Sequence, residues 1–213
     1  MKFLYTSFFS LVCFFSTPSF AQFDVNNLSV ELGYGYTGAV GPYSPVFNSN
    51  FSGMRHYDLG IRYMFTETIG AKVFYKVDSF VNDPGGKIGI TYNTIGGSFV
   101  YNVGKEFGLT YFTRDRIGVL THLDGGVSFS RVVDTRIIEK VGVVGFGITP
   151  MCTLSNKFAL YSDFTYNWNL KQHYGFDGML LNADYTPEPG SFYNFSIGLI
   201  YYIGEHQYHA DWY

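Results

Sequence analysis

The chain has 213 residues, a formal net charge of −3, 15% charged residues and 20% aromatics. That length suits one domain or one barrel, and the charge content is low against the roughly 25% of an ordinary soluble domain. With a net charge of −3 nothing favours a nucleic-acid partner, and no block of like charges marks an interaction tail.

Met1 to Ala21 has the layout of a signal peptide. Lys2 is the positive start, Phe3 to Phe15 the apolar stretch, and Ser19-Phe20-Ala21 a small-x-small cleavage site that leaves Gln22 as the mature N-terminus. Ser16, Thr17 and Pro18 break the apolar run well short of the roughly 20 residues a helical span needs. Cys13 follows a bulky valine, which disfavours lipidation. Cys152 alone then remains, so no internal disulfide can form. Closing a sheet on itself is another way to stabilise an exported chain, because it pairs every strand edge.

From Leu28 to Ile203, apolar or aromatic residues alternate with polar ones or glycine. Successive strand side chains point to opposite faces. In the first predicted strand Leu28, Val30, Leu32, Tyr34 and Tyr36 share one face; Ser29, Glu31, Gly33 and Gly35 share the other. The second runs from about Tyr57 to Phe65, and the turn Thr66-Glu67-Thr68 leads to a third from Ile69 to Asp78. Asn82-Asp83-Pro84-Gly85-Gly86 is a strong turn signal. The fourth strand carries Ile95, Gly97, Phe99, Tyr101 and Val103 on its outer face, and Asn102 to Glu106 reads as a short turn. The fifth spans Ile117 to Arg131. The sixth, Val141 to Leu154, alternates poorly, and Pro150 predicts a bulge or strand end because it lacks a ladder donor. The seventh sets Phe158, Leu160, Phe164, Tyr166, Trp168 and Leu170 against Ala159, Tyr161, Asp163, Thr165, Asn167 and Asn169. The eighth sets Tyr193, Phe195, Ile197, Leu199, Tyr201 and Ile203 against Asn194, Ser196, Gly198 and Tyr202.

Short connections (66–68, 102–106, 155–157) alternate with longer ones (38–53, 80–87, 132–140, 171–190). Outer-membrane barrels have this asymmetry, with short periplasmic turns and long external loops. Glu31, Asp58, Arg62, Lys72, Lys76, Asp78, Asp124 and Asp163 all fall on the non-aromatic face, with His56 and His122. A Lys or Arg facing lipid at the midplane would cost roughly 2–4 kcal/mol. A soluble β-sandwich would reproduce the alternation, but tyrosines near strand ends on the apolar face fit interfacial girdles. The expected fold is therefore an all-β, eight-stranded antiparallel transmembrane up-and-down barrel. Residues 1–21 are the leader, 22–204 the barrel and 205–213 a periplasmic tail or linker start. An eight-stranded lumen is just wide enough for its own side chains, so the inward charges are expected to pair as an interior network. A gated ion path in which pairs exchange is the sharper alternative.

The chain resembles the N-terminal barrel of the OmpA family. The resemblance rests on the strand and turn layout, the strand Leu32-Gly33-Tyr34-Gly35-Tyr36, and the last strand Phe195-Ser196-Ile197-Gly198-Leu199-Ile200-Tyr201-Tyr202-Ile203-Gly204. His209-Ala210-Asp211-Trp212 is similar to the start of the linker that follows the barrel in some members. The resemblance implies an envelope-structural role with at most a narrow, low-conductance pore. Many members continue into a peptidoglycan-binding domain, which this sequence does not include, so it implies a stand-alone barrel or part of a longer product.

Other functions would rest on particular residues. A lipid A deacylase of the barrel type needs a His-x-Ser pair, and no histidine here has one. His122 and Asp124 share an inward face with Ser128 and Ser130, an arrangement that could orient a general base. The i, i+3 pair His206 and His209, near Asp211, lies in an expected unstructured tail and reads as linker, not metal site. Loops 38–53 (Tyr43, Phe47, Phe51) and 171–190 (Tyr174, Phe176, Tyr185, Pro187, Pro189) carry aromatics that could bind an extracellular partner. The reading is a monomeric, non-enzymatic barrel of the bacterial outer membrane, surrounded by lipid and lipopolysaccharide, with no cofactor and no metal.

Overall fold

The computed structural model describes residues 25–43, 51–82, 88–135, 137–204 and 209–212. The expected leader, the core of the Asn82–Gly86 turn, Phe47 and His206 lie outside the described residues. Eight antiparallel strands close into one barrel: β1 (Leu28–Gly41), β2 (Gly53–Met64), β3 (Ile69–Val81), β4 (Gly89–Asn102), β5 (Ile117–Val132), β6 (Ile138–Ser155), β7 (Phe158–Gln172) and β8 (Glu188–Tyr202). Each pairs with its chain neighbour, and β8 returns to β1, with Leu32 opposite Leu199 and Tyr34 opposite Ile197. No sheet edge is left open, so no row of backbone donors and acceptors needs an outside partner.

The period-2 pattern sets the two faces. Along β7, Phe158, Leu160, Phe164, Trp168 and Leu170 are exposed, while Ala159, Tyr161, Asp163, Thr165, Asn167 and Asn169 are buried. The exposed apolar residues form a belt that includes Leu32, Leu59, Ile61, Val73, Ile95, Leu123 and Ile197. Aromatic pairs flank it. Toward the loop end lie Tyr36–Tyr193 and Tyr166–Trp168; toward the turn end lie Tyr63–Phe65 and Phe158–Tyr201. Exposed strand charges such as Arg131, Lys140 and Lys171 stand at the loop-end strand tips, outside the belt.

Three local expectations are corrected. Asn102 to Glu106 is not a short turn but the start of a connection from Val103 to Arg116 that holds two short helices, α1 (Val103–Glu106) and α2 (Leu109–Thr113). Asn102 caps α1 by accepting from the Lys105 N–H, and Gly108, at φ +66°, joins the two helices. Val103 therefore leaves the strand face. The connection from Val132 to Lys140 is shorter than expected, because β5 and β6 extend to leave only residues 133–137 between them. Pro150 makes neither a bulge nor an end. The β6–β7 ladder skips Thr149 and Pro150 and resumes in the same register, Ile148 opposite Phe164 and Met151 opposite Tyr161. One missing N–H costs one ladder bond without moving the register; the irregularity falls later, between Thr153 and Ser155.

The β1–β8 seam depends on Gly35. A Cβ there would collide with the Phe195 carbonyl oxygen and sit 2.5 Å from the Ser196 Cα. Gly125 has nothing within 4 Å. We predict that Gly35→Ala lowers the unfolding free energy by about 1–3 kcal/mol, while Gly125→Ala stays within about 0.5 kcal/mol of the parent. Urea titration of the barrel refolded in lipid vesicles measures both; equal effects would contradict the seam assignment.

Candidate functional site: a charged lumen between two plugs

The inward faces build three layers. At the loop end Phe51, Phe80, Ile90, Tyr92, Phe176 and Phe192 pack together as a buried aromatic lid. Phe80 meets Phe176 edge-on at 4.7 Å between ring centres, and Tyr92 stacks on Phe192 at 6.0 Å. Phe51 and Phe176 come from the long loops and are fully buried. These two loop aromatics cap the mouth and are not displayed outward. Tyr185, half exposed, instead stacks on His173.

The middle layer is ionic, and the structure places all of the inward charges named from the sequence in it, buried. Arg62 and Lys72 stand directly opposite on β2 and β3. Like charges so placed repel. Glu31 of β1 lies between them, accepting from Arg62 Nε at 2.6 Å and from Lys72 Nζ at 3.1 Å. Lys76 crosses to Asp124 Oδ2 at 2.6 Å. Asp78 pairs with His56 of the facing strand at 2.7 Å. Asp58 is bonded by the Tyr161 hydroxyl at 3.3 Å. Asp163 receives the Thr149 hydroxyl at 2.6 Å and faces His122 Nε2 at 2.9 Å.

That last contact bears on catalysis. His122 Nδ1 faces Asp124 at 2.7 Å, so both ring nitrogens are engaged by carboxylates. Neither is free to take a proton from Ser128 or Ser130, and the ring is buried. Glycines make room for the large inward groups. A Cβ at Gly147 would collide with His122 Nε2.

The floor of the lumen corrects the expectation of an unstructured tail. His209 to Trp212 turn back into the barrel, with Ala210–Trp212 as a 3-10 turn. Asp211 is fully buried and takes a two-pronged bond from Arg62, Nη1 to Oδ1 at 2.5 Å and Nη2 to Oδ2 at 2.8 Å. The Tyr202 hydroxyl donates to Asp211 Oδ2 and Asn102 Nδ2 to the Asp211 carbonyl, both at 3.0 Å. Burial alone pushes the Asp211 carboxyl up, but the Arg62 guanidinium and His209 overcome this and hold it well below the usual carboxylate range. Trp212 packs with Val100, Leu120, Met151, Ala159, Ile200 and Tyr202. A tail read by residue type alone carries no signal for this.

Among the described residues, two small voids lie in the lumen. One void, lined by Glu31, Arg62, Lys72 and His122 among others, measures about 10 Å3, as does a second beside Lys76, Asp78 and Asp124. Each has room for about one water, and neither is a channel. Among the described residues no cluster of three or more His, Cys, Asp or Glu is placed to hold a metal ion.

The geometry defines the class of closed, eight-stranded antiparallel barrels, and the solved structures that it resembles include outer-membrane proteins. The crystal structure of neisserial surface protein A (NspA) matches with a TM-score of 0.56 at 13% identity, over 83% of this chain and 97% of that one. A major outer membrane protein from Thermus thermophilus matches with a TM-score of 0.53 at 13% identity, over 82% of this chain and 97% of that one. No protein-family model and no curated protein sequence matches the chain. At such identities the likeness is one of fold.

Arg62 is the hub, holding both Glu31 and Asp211. Removing one partner of a buried pair strands the other and costs about 3–5 kcal/mol. Arg62→Ala is expected to lose stability of that order in urea titration, and Arg62→Lys less, because a point charge replaces the two-pronged fork. Arg62→Ala with Asp211→Asn should recover part of the loss. An Arg62→Ala barrel as stable as the parent would show that the pairing has no weight.

Proposed function

We propose that this chain is a non-enzymatic barrel of the bacterial outer membrane, OmpA-like in role, that supports envelope integrity with its lumen shut at rest. The observation that carries this reading is the pairing of a charge-free apolar belt with a lumen whose charges, apart from Asp58, are bonded to one another. Lipid can solvate only the first, and hydrocarbon tolerates polar backbone only in a closed barrel or a helix. The belt, the flanking aromatics and the strand-tip charges match the profile of a membrane-spanning barrel. On this reading the leader directs export, the barrel works as a monomer among phospholipid and lipopolysaccharide, and the turn-side termini face the periplasm.

Permeability is marginal because the two plugs and the ion pairs fill the bore. Ion passage requires both the Arg62–Asp211 floor and the aromatic lid to move. Recognition by the outer loops is the second reading. Since Phe51 and Phe176 are used by the lid, it rests on exposed rim residues such as Leu180 and Tyr185.

The test is planar-bilayer recording of residues 22–213 refolded in lipid, together with detergent sensitivity of a strain lacking the gene. The parent barrel is expected to be silent or to open rarely, Asp211→Ala to open several-fold more often, and the deletion strain to be detergent-sensitive. A steadily conducting parent would refute the shut lumen, and a deletion strain with normal resistance would refute the envelope role.

A further inference from the structure

The outer surface of the barrel is not uniformly smooth. On the turn-side half, small residues fall together among bulky ones: Pro150 and Cys152 on β6, and Ser162 on β7. Ile117, Leu160 and Ile197 surround them, and the result is an open groove of about 280 Å3. It is by far roomier than the two voids of the lumen. Met151 and Tyr161 also line it, although both side chains are buried in the lumen floor. The groove thus reaches down to strand backbone. It lies where the β6–β7 ladder skips Thr149 and Pro150, and Pro150 has no N–H to donate there.

We propose that this groove is a binding site for one acyl chain of a membrane phospholipid from the turn-side leaflet. The proposal rests on the membrane reading above. Its warrant is continuity with the belt: Ile117, Leu160 and Ile197 are each about half exposed and face outward with the rest of the lipid-facing surface. Water has few polar partners there. The groove is open and lined mainly by apolar side chains, a shape that suits a stretch of hydrocarbon chain and is too small for a folded partner. In hydrocarbon no hydrophobic gain favours filling it. What favours it is packing, since an unfilled hollow forfeits the contacts that its walls would otherwise make. The turn-side position selects phospholipid over lipopolysaccharide, because Ile117 opens β5 and Cys152 lies three residues before the end of β6.

Residues 22–213 would be refolded into phosphatidylcholine vesicles containing a small fraction of the same lipid with a photoreactive group in one acyl chain. After illumination, labelled peptides are mapped by mass spectrometry. Labelling of 150–162 is expected to exceed that of the opposite wall, around Leu59, Ile61 and Val73, by roughly threefold, the ratio a packing gain of about half of 1.4 kcal/mol produces. Ser162→Leu, and independently Cys152→Leu, should fill the groove and bring the ratio to about one, with the folded barrel verified by its resistance to protease. Even labelling around the belt, or an excess unchanged by both filled variants, would overturn the proposal while leaving the membrane reading intact. Crosslinks between two copies through this face would overturn it in favour of a dimer contact. No labelling anywhere on the belt would sink the membrane reading itself, and the acyl site with it.

Discussion

A sheet whose outer face meets hydrocarbon cannot leave backbone N–H and C=O groups without partners, and each one left over costs several kcal/mol. Everything else in this molecule follows from closing β8 onto β1. Closure requires the backbones to approach tightly at the seam, which is why a glycine stands at position 35. It also fixes the bore. Eight strands leave an interior only as wide as the side chains that line it, and the polar half of every strand must be accommodated there.

The lumen is consequently a problem of charge pairing in little space. Arg62 and Lys72 face one another across β2 and β3, and the carboxylate of Glu31, reaching in from β1, bonds both and offsets their repulsion. Arg62 has bonding capacity left over, and the returning tail supplies Asp211. The floor of the barrel and its ionic centre are therefore one structure. A chain lacking either loses partners for both. Such networks often contribute no more to net stability than an apolar filling would, so their weight here lies in setting which way the polar face points.

The barrel is legible in the sequence because its code is short-range. The faces of β7 and β8 need only the alternation of Phe158 to Leu170 and Tyr193 to Tyr201, and a one-residue slip would turn the outward aromatics inward. The ion partners are not legible, because they depend on stagger between strands. Glu31 stands opposite Gly60, not Arg62, and Lys76 stands opposite Asp58 yet reaches Asp124 two strands away. The helices of residues 103–113 are hidden for a related reason. Asn102 is both the last residue of β4 and the cap of α1, so the strand pattern runs into the helix without a break. The tail is hidden because its fold is tertiary: nothing near Asp211 in the chain announces a guanidinium 149 positions away.

The central claim is that the aromatic face meets lipid and the polar face meets itself. Nitroxide labels at single cysteines along β7, in a Cys152→Ser chain refolded in vesicles, test it most directly. Leu160, Phe164 and Trp168 should collide with oxygen and be shielded from a water-soluble nickel chelate, while Ala159, Thr165 and Asn167 should be shielded from both. Labels at 165 and 167 open to the chelate, with 160, 164 and 168 closed to both reagents, would mean that the polar face is the wet one and would contradict the account.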